Sequence, residues 1–350
     1  MVLTLGARRT LIAALVLATA STSLACSKGT GTQTAGSSTS SALVPATTAV
    51  PAGPVFPLTG LPAPAGPPSR PALSVKVDNV DPARPQSGVN DADLVYEELV
   101  EGGNSRLFAV YQSHDSTLVG PIRSARPVDA DLLHALGGGI FAFSGAAAGE
   151  IGPVKDHGGA TLLSNDAGSR GFFRDHGRKA PFNLFSTTTA LYAAGAAAGN
   201  HQGPPSPLFR YGAAPGGPGA GEVDLTMGIR SSSVWRWNAS PQLYERAQDG
   251  TPDVQADGST ITANNVVILS VQITGTGIFD SVHEEDPFVV VIGSGPCWLL
   301  RNGQLVQGQW RRPALDSRTE LMTDGGAEMT LQPGRTWIEL LPAPNQPQFH

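Results

Sequence analysis

Apolar residues alternate most clearly in "RPALSVKVDN", where Leu73, Val75 and Val77 recur at a period of two and predict a half-buried strand. The following "ADLVYEELVEGGNSRLFAVYQS" reads as two strands around the turn Gly102-Gly103-Asn104-Ser105. After "GPIRSAR" the pattern changes to helical spacing from Asp129 to Leu136 and stops at Gly137-Gly138-Gly139. "GIFAFSGAA" is a further short strand, and "TTTALYAAGAAAG" an alanine-rich helix with Thr187 to Thr189 at its mouth. Strands interleaved with helices predict an α+β or α/β N-terminal domain over residues 57–210. "YGAAPGGPGAGE" over 211–222 reads as a linker. Beyond it strand-like runs alternate with turn signals, as in "SSSVWRWN", "TITANNVVILSVQIT" and "CWLLRNGQLVQGQWRR". This predicts a β-rich domain, sandwich or barrel-like, over 223–342, with 343–350 as a tail. No internal repeat is visible.

The N-terminus has a different texture. Arg8 and Arg9 precede an apolar run from Leu11 to Ala20, too short to cross a bilayer, and the segment ends in "SLAC" at Cys26. Residues 1–26 therefore read as an export signal that resembles a bacterial lipoprotein signal, with Cys26 lipidated and the protein held on the outer face of the cell membrane. Ser23 departs from the usual Leu or Val three residues before the cysteine. "ATA" at Ala18 to Ala20 offers the alternative, secretion after cleavage near Ala20, and the arginine pair leaves twin-arginine export open beside the general route. Residues 27–56 are Ser, Thr, Gly, Ala and Pro with almost no charge, a disordered tether.

Composition narrows the function classes. The 350 residues are 40% apolar, enough to supply two cores, and carry a formal charge of −6 without a basic stripe, which argues against a nucleic-acid partner. Only four of the 23 basic residues are lysine, so 19 are arginine; with 42 Gly and 29 Pro this points to a GC-rich genome and discounts Gly and Pro as structural signals. With Cys26 acylated, Cys297 stands alone and reads as a buried structural thiol.

No G-x-S-x-G elbow, S-x-x-K pair, P-loop or H-E-x-x-H occurs, and no cofactor is implied. "DHG" appears twice, at Asp156-His157-Gly158 and Asp175-His176-Gly177. Polar loop pieces are the reading preferred over a metal site. In "VYEELVEGGNSR" strand alternation puts Glu97 and Glu101 on one face with Val95 and Leu99. At ~3.3 Å per residue the two carboxylates lie roughly 13 Å apart, beyond glycosidase separations. If Glu97 is buried it needs a cation, and Arg106, Arg123 and Arg126 are the supply. The arginine pair of "GPIRSAR" thus has two readings: an internal Glu97–Arg ion pair, or an Arg-lined pocket for an anionic ligand.

"FPLTGL", "RPALSVKVDN", "ARPQSGVNDADLVYEELVEGGNSRLFAVYQS", "GPIRSARPVDADL", "RKAPFNLF" and "LQPGRTWIELLP" together resemble the YerB-like family of bacterial lipoproteins, a domain-of-unknown-function family. The resemblance runs from Phe56 to Pro342 and implies the same two-domain order and envelope address. Phe182, between Pro181 and Asn183, stands where that family often has His, so a general base there is absent. Glu97, Glu101, Arg106, Arg123, Arg126, Arg178 and Asn183 fall inside the matching motifs and form the candidate ligand site.

The leading expectation is a lipid-anchored envelope protein that binds an anionic or polar envelope ligand, its partners being the membrane and a cell-wall ligand or envelope protein. One alternative is a peptidoglycan- or glycan-acting hydrolase using Glu97 or Glu101. A second is a non-catalytic assembly factor presenting Trp235, Trp237 and Trp310.

Overall fold

The computed structural model describes residues 53–213, 216–279 and 283–350. The expected export signal, Cys26 and the expected tether up to residue 52 lie outside the described residues. The first half folds as β1 (Leu73–Asp78), β2 (Leu94–Leu99), β3 (Ser105–Tyr111), α1 (Asp129–Ala135), β4 (Gly139–Phe143), α2 (Ala148–His157), β5 (Ala160–Ser164), β6 (Phe172–Arg174), β7 (Leu184–Ser186) and α3 (Thr188–Ala197). The second half is strands: β8 (Glu222–Gly228), β9 (Ser231–Asn238), β10 (Leu243–Gln248), β11 (Thr251–Pro252), β12 (Thr262–Ala263), β13 (Asn265–Phe279), β14 (Glu285–Val290), β15 (Gly293–Arg301), β16 (Gln304–Arg312), β17 (Glu320–Thr323), β18 (Thr336–Pro342) and β19 (Gln348–Phe349).

Local chemistry sets the helix ends. The Thr187 hydroxyl accepts from the Ala190 amide at 3.0 Å and caps α3. After α1, Gly137, Gly138 and Gly139 take φ of +76°, +90° and +94°, a path that a β-carbon would oppose, and the Gly138 amide donates to Leu133 O at 2.9 Å.

An eleven-stranded sheet in the order β17-β16-β15-β13-β18-β2-β3-β1-β4-β5, with β14 beside β13, runs through both halves of the sequence. Its hinge of connectivity is β18, which lies parallel to β2 on one side and to β13 on the other, with Glu339 opposite both Glu97 and Ile268. The fold is therefore mixed α and β in the first half and β-rich in the second, the two halves sharing one sheet. A second, six-stranded sheet, β11-β10-β9-β8-β19 with β12 on β10, stacks on one face of it.

Both faces of the central sheet are covered. On one, Tyr96, Phe108 and Phe141 pack with Leu132 and Leu133 of α1 and Val154 of α2. On the other, Val75, Val95 and Trp337 pack with Trp235 of the second sheet and Leu191 of α3. All six residues of β1 are buried, where alternation alone predicts a half-buried strand, because layers lie on both sides. Lys76 and Asp78 are consequently charged groups inside the protein.

Two stretches read as connectors are part of the fold. In the expected tail, Phe349 pairs with Val223 and Gln348 with Asp224, forming an edge of the second sheet. In the expected linker, Tyr211 bridges to Leu331, and its ring fills the space over Gly60, where a β-carbon would come within 2.3 Å of it. Low charge and high glycine content concealed the anchoring aromatics. Trp235 and Trp310 are buried and Trp237 half-buried, so the assembly-factor tryptophans serve mainly as core.

Candidate functional site

Glu97 sits at the heart of the interface between the two sheets with no exposed surface. Its Oε1 accepts from the Ser105 hydroxyl at 2.6 Å and the Asn79 amide at 3.1 Å. Its cation is Arg246 of β10, which also pairs with Asp253; Arg106, Arg123 and Arg126, the expected supply, lie on the other face of the sheet. The strand pairing places them there, because Glu98, not Glu97, is registered opposite Arg106. Glu339 completes the group, accepting from Trp235 Nε1 at 2.7 Å. Burial, with the adjacent Glu97 charge adding, pushes its carboxyl up to about 8.

The opposite face of β1–β3 carries a second charged layer. Lys76 Nζ meets Glu98 and, at 2.6 Å, Asp129 at the start of α1. Burial pushes Glu98 up to about 7 against the pull of Lys76. Glu101 lies just past β2, in the tight turn Glu101–Gly103, and is held by two arginines: Arg106 Nη2 at 3.0 Å and Arg126, whose Nε donates to Oε2 at 2.8 Å. Burial opposes its charge, yet Arg106 and Arg126 hold it down to about 2. Arg126 also reaches Asp286 of β14 at 3.1 Å and Glu150 of α2 at 3.4 Å. Burial, with Glu101 and Glu150 adding to it against the pull of Arg126, pushes Asp286 up to about 7.

Neither sequence-selected glutamate is placed as an acid or base. Glu97 is sealed in the core by Arg246, and Glu101 is an ionised carboxylate between two guanidinium groups. Cys297 is buried and its thiol is pushed up to about 12 by burial, an inert state. Among the described residues no group of three or more His, Cys, Asp or Glu is placed to hold a metal ion. In the second "DHG", the Asp175 carboxylate accepts from the Gly177 amide at 2.8 Å, which is turn chemistry.

Arg123 differs from its neighbours. Its Nε lies 2.8 Å from Asp78, its side chain keeps 27% of its exposure, and its guanidinium stands 5.8 Å from the centre of the Phe182 ring. Phe182 in turn lines an open cleft of about 530 Å³. Pro82, Pro85, Ala180 and Phe182 form its apolar walls, and Arg84, Arg178 and Lys179 its charged ones. Arg84 is engaged by Asp249 at 2.8 Å and Asp81 at 3.2 Å. Arg178 donates to the carbonyls of Pro85 at 2.8 Å and Ala83 at 2.6 Å and makes no ion pair among the described residues; Lys179 is exposed and makes none either. Asn183 stands apart from this group: it is buried, and its Oδ1 accepts from Arg174 at 2.8 Å, tying β6 to β7.

The structure thus divides the seven candidates. Glu101, Arg106 and Arg126 meet in one cluster, Arg123 stands over Phe182, Arg178 shares the cleft wall with Phe182 and lies over Phe185, Glu97 lies behind the sheet, and Asn183 braces the hairpin. Lys179 was missed, although "SRGFFRDHGRK" already held the signal. Arg170, Arg174, Arg178 and Lys179 face only Asp175, four positive charges less one negative, a local +3 in a chain of −6. Lys76 was missed too; a lysine inside an apolar strand requires buried carboxylates, here Glu98 and Asp129.

The sequence matches the descriptions "Protein of unknown function (DUF3048) N-terminal domain" over residues 58–201 and "Protein of unknown function (DUF3048) C-terminal domain" over 223–338. The chain belongs to this family. A relative, the putative lipoprotein YerB of Bacillus subtilis, is 24% identical over 292 residues, covering 82% of this chain and 86% of the relative. The crystal structure of the YerB protein from Bacillus subtilis matches with a TM-score of 0.71 at 25% identity, over 84% of this chain and 99% of that one. The family match spans both halves of the shared sheet, and the N-terminal match includes every candidate residue from Glu97 to Asn183.

Proposed function

We propose that the protein is a lipid-anchored, extracytoplasmic binding protein that takes an anionic ligand of the cell envelope in the cleft beside Phe182. The single observation that carries this reading is a pair of cations that make no close ion pair among the described residues, Arg178 and Lys179, on the wall of an open, largely apolar cleft in a protein of net negative charge. Charged side chains in folded proteins are ordinarily paired or freely solvated. Arg178, held beside apolar walls by carbonyls alone, with the solvated Lys179 next to it, favours an incoming anion. The lipoprotein-like segment ending at Cys26 and the putative-lipoprotein relative support the membrane anchor.

Sedimentation of the full chain with purified, insoluble cell wall tests the binding. Retention that falls with added salt and is lost in Lys179→Glu is expected; retention indifferent to both would remove the cleft from the account. Fractionation of cells carrying Cys26→Ser tests the anchor. The variant should leave the membrane fraction, and its persistence there would mean that something other than acylation holds it.

A further inference from the structure

From the same cleft, and resting on the anion-binding reading above, we infer the ligand's chemical class: a sugar chain bearing oxyanions, carboxylate or phosphate, whose ring lies on Phe182. Three features of the cleft carry this.

The first is the shape of its apolar walls. The Phe182 ring is flat, and the pyrrolidine rings of Pro82 and Pro85 beside it are short and rigid. A flat aromatic face with short apolar edges matches the C–H face of a pyranose, while its hydroxyl and acidic edge groups turn to the flanking cations. An acyl chain would need a longer apolar sleeve than one aromatic, two prolines and Ala180 provide.

The second is the backbone. Prolines at 82, 85 and 181 carry no amide hydrogen, and the carbonyls of Ala83 and Pro85 already accept from Arg178. These positions therefore offer an extended peptide little main-chain pairing, the usual source of affinity when a strand adds to a protein edge. A ligand recognised through side chains alone fits better.

The third is the supply of donors. Lys179 is exposed beside the ring, and Arg178 keeps its charge uncompensated by any ion pair among the described residues. Arg123, on the same aromatic ring, meets Asp78 through Nε, and its two terminal nitrogens have no partner among the described residues. Such a planar fork suits carboxylate and phosphate alike.

The test is a set of fluorescence titrations of the full chain in detergent with polygalacturonate, phosphomannan, neutral dextran and poly-L-glutamate. Binding is expected for polygalacturonate or phosphomannan, whichever binds identifying the oxyanion. Dextran should not bind, and poly-L-glutamate should bind at least about tenfold more weakly. Phe182→Leu, which keeps an apolar wall, should weaken the sugar polymer by about tenfold while leaving any poly-L-glutamate binding unchanged. Lys179→Ala should weaken both. Equal binding of poly-L-glutamate, with Phe182→Leu silent, would overturn the sugar assignment and leave the anion reading standing. Failure of all three polyanions would overturn both. Circular dichroism of each variant establishes that it is folded, so that a loss of binding is read at the cleft.

Discussion

An arginine without exposed surface is tolerated only where carboxylates surround it, and Arg246 has Glu97 and Asp253 within ion-pair reach and the Trp337 ring at 4.7 Å. Arg246→Met would strand two buried carboxylates, and the expected loss is about 3–5 kcal/mol of unfolding free energy, measured by urea denaturation. The carboxylates also set a pH dependence. Asp286 is raised from 3.8 to about 7, so folding takes up a proton; its stabilising contribution is full below about pH 4 and is lost as pH rises through about 7. Asp286→Asn should therefore shift the urea midpoint upward relative to the parent at pH 8.5, with the gap closing toward pH 5. An equal gap at both would show that Asp286 does not titrate as described. Glu101 has the opposite sign. Lowered from 4.5 to about 2, it stabilises above about pH 4.5, and that contribution is lost as pH falls through about 2. Glu101→Gln should cost stability at pH 7 and little near pH 2, by the same measurement. That Glu97 needs a cation follows from its place between Val95 and Leu99 in an apolar strand. Which arginine answers does not, since Arg246 lies 149 residues away on the other sheet and only the stacking of the two sheets selects it.

Among the elements, β1 to β4, α1 and α3 were legible because alternation and glycine stops are local signals, whereas α2 was not, and the first "DHG", read as a loop piece, has Asp156 and His157 in its last turn with Gly158 capping it. Pairing between distant strands has no local signal. Nothing in "TWIELLP" says that β18 lies between β2 and β13, since its own residues are buried whichever partners they meet. The consequence is measurable. Residues 57–210 expressed alone would leave β2 without β18 and Glu97 without Arg246, so cooperative urea unfolding is expected for the full chain and not for that fragment. A fragment with a sharp, two-state transition would mean that the first half folds without its neighbour.

The molecule as a whole balances its charge unevenly. Its net charge of −6 contains a stretch of +3 over residues 170–179, whose last two cations, Arg178 and Lys179, line the cleft. The fold class was readable from texture; the cleft was not, since it joins prolines near residue 82 to cations near 178, brought together by folding. The placement of β18 bears on how such a chain is born. Synthesis proceeds from the N-terminus, and a central strand of the large sheet is supplied by residues 336–342, made long after the two strands it joins. Until then β2 and β13 each present an open edge, the kind of surface that captures stray strands. A nascent chain of this sequence therefore cannot close its large sheet before β18 has been made, and it is exposed to mispairing if it stalls earlier.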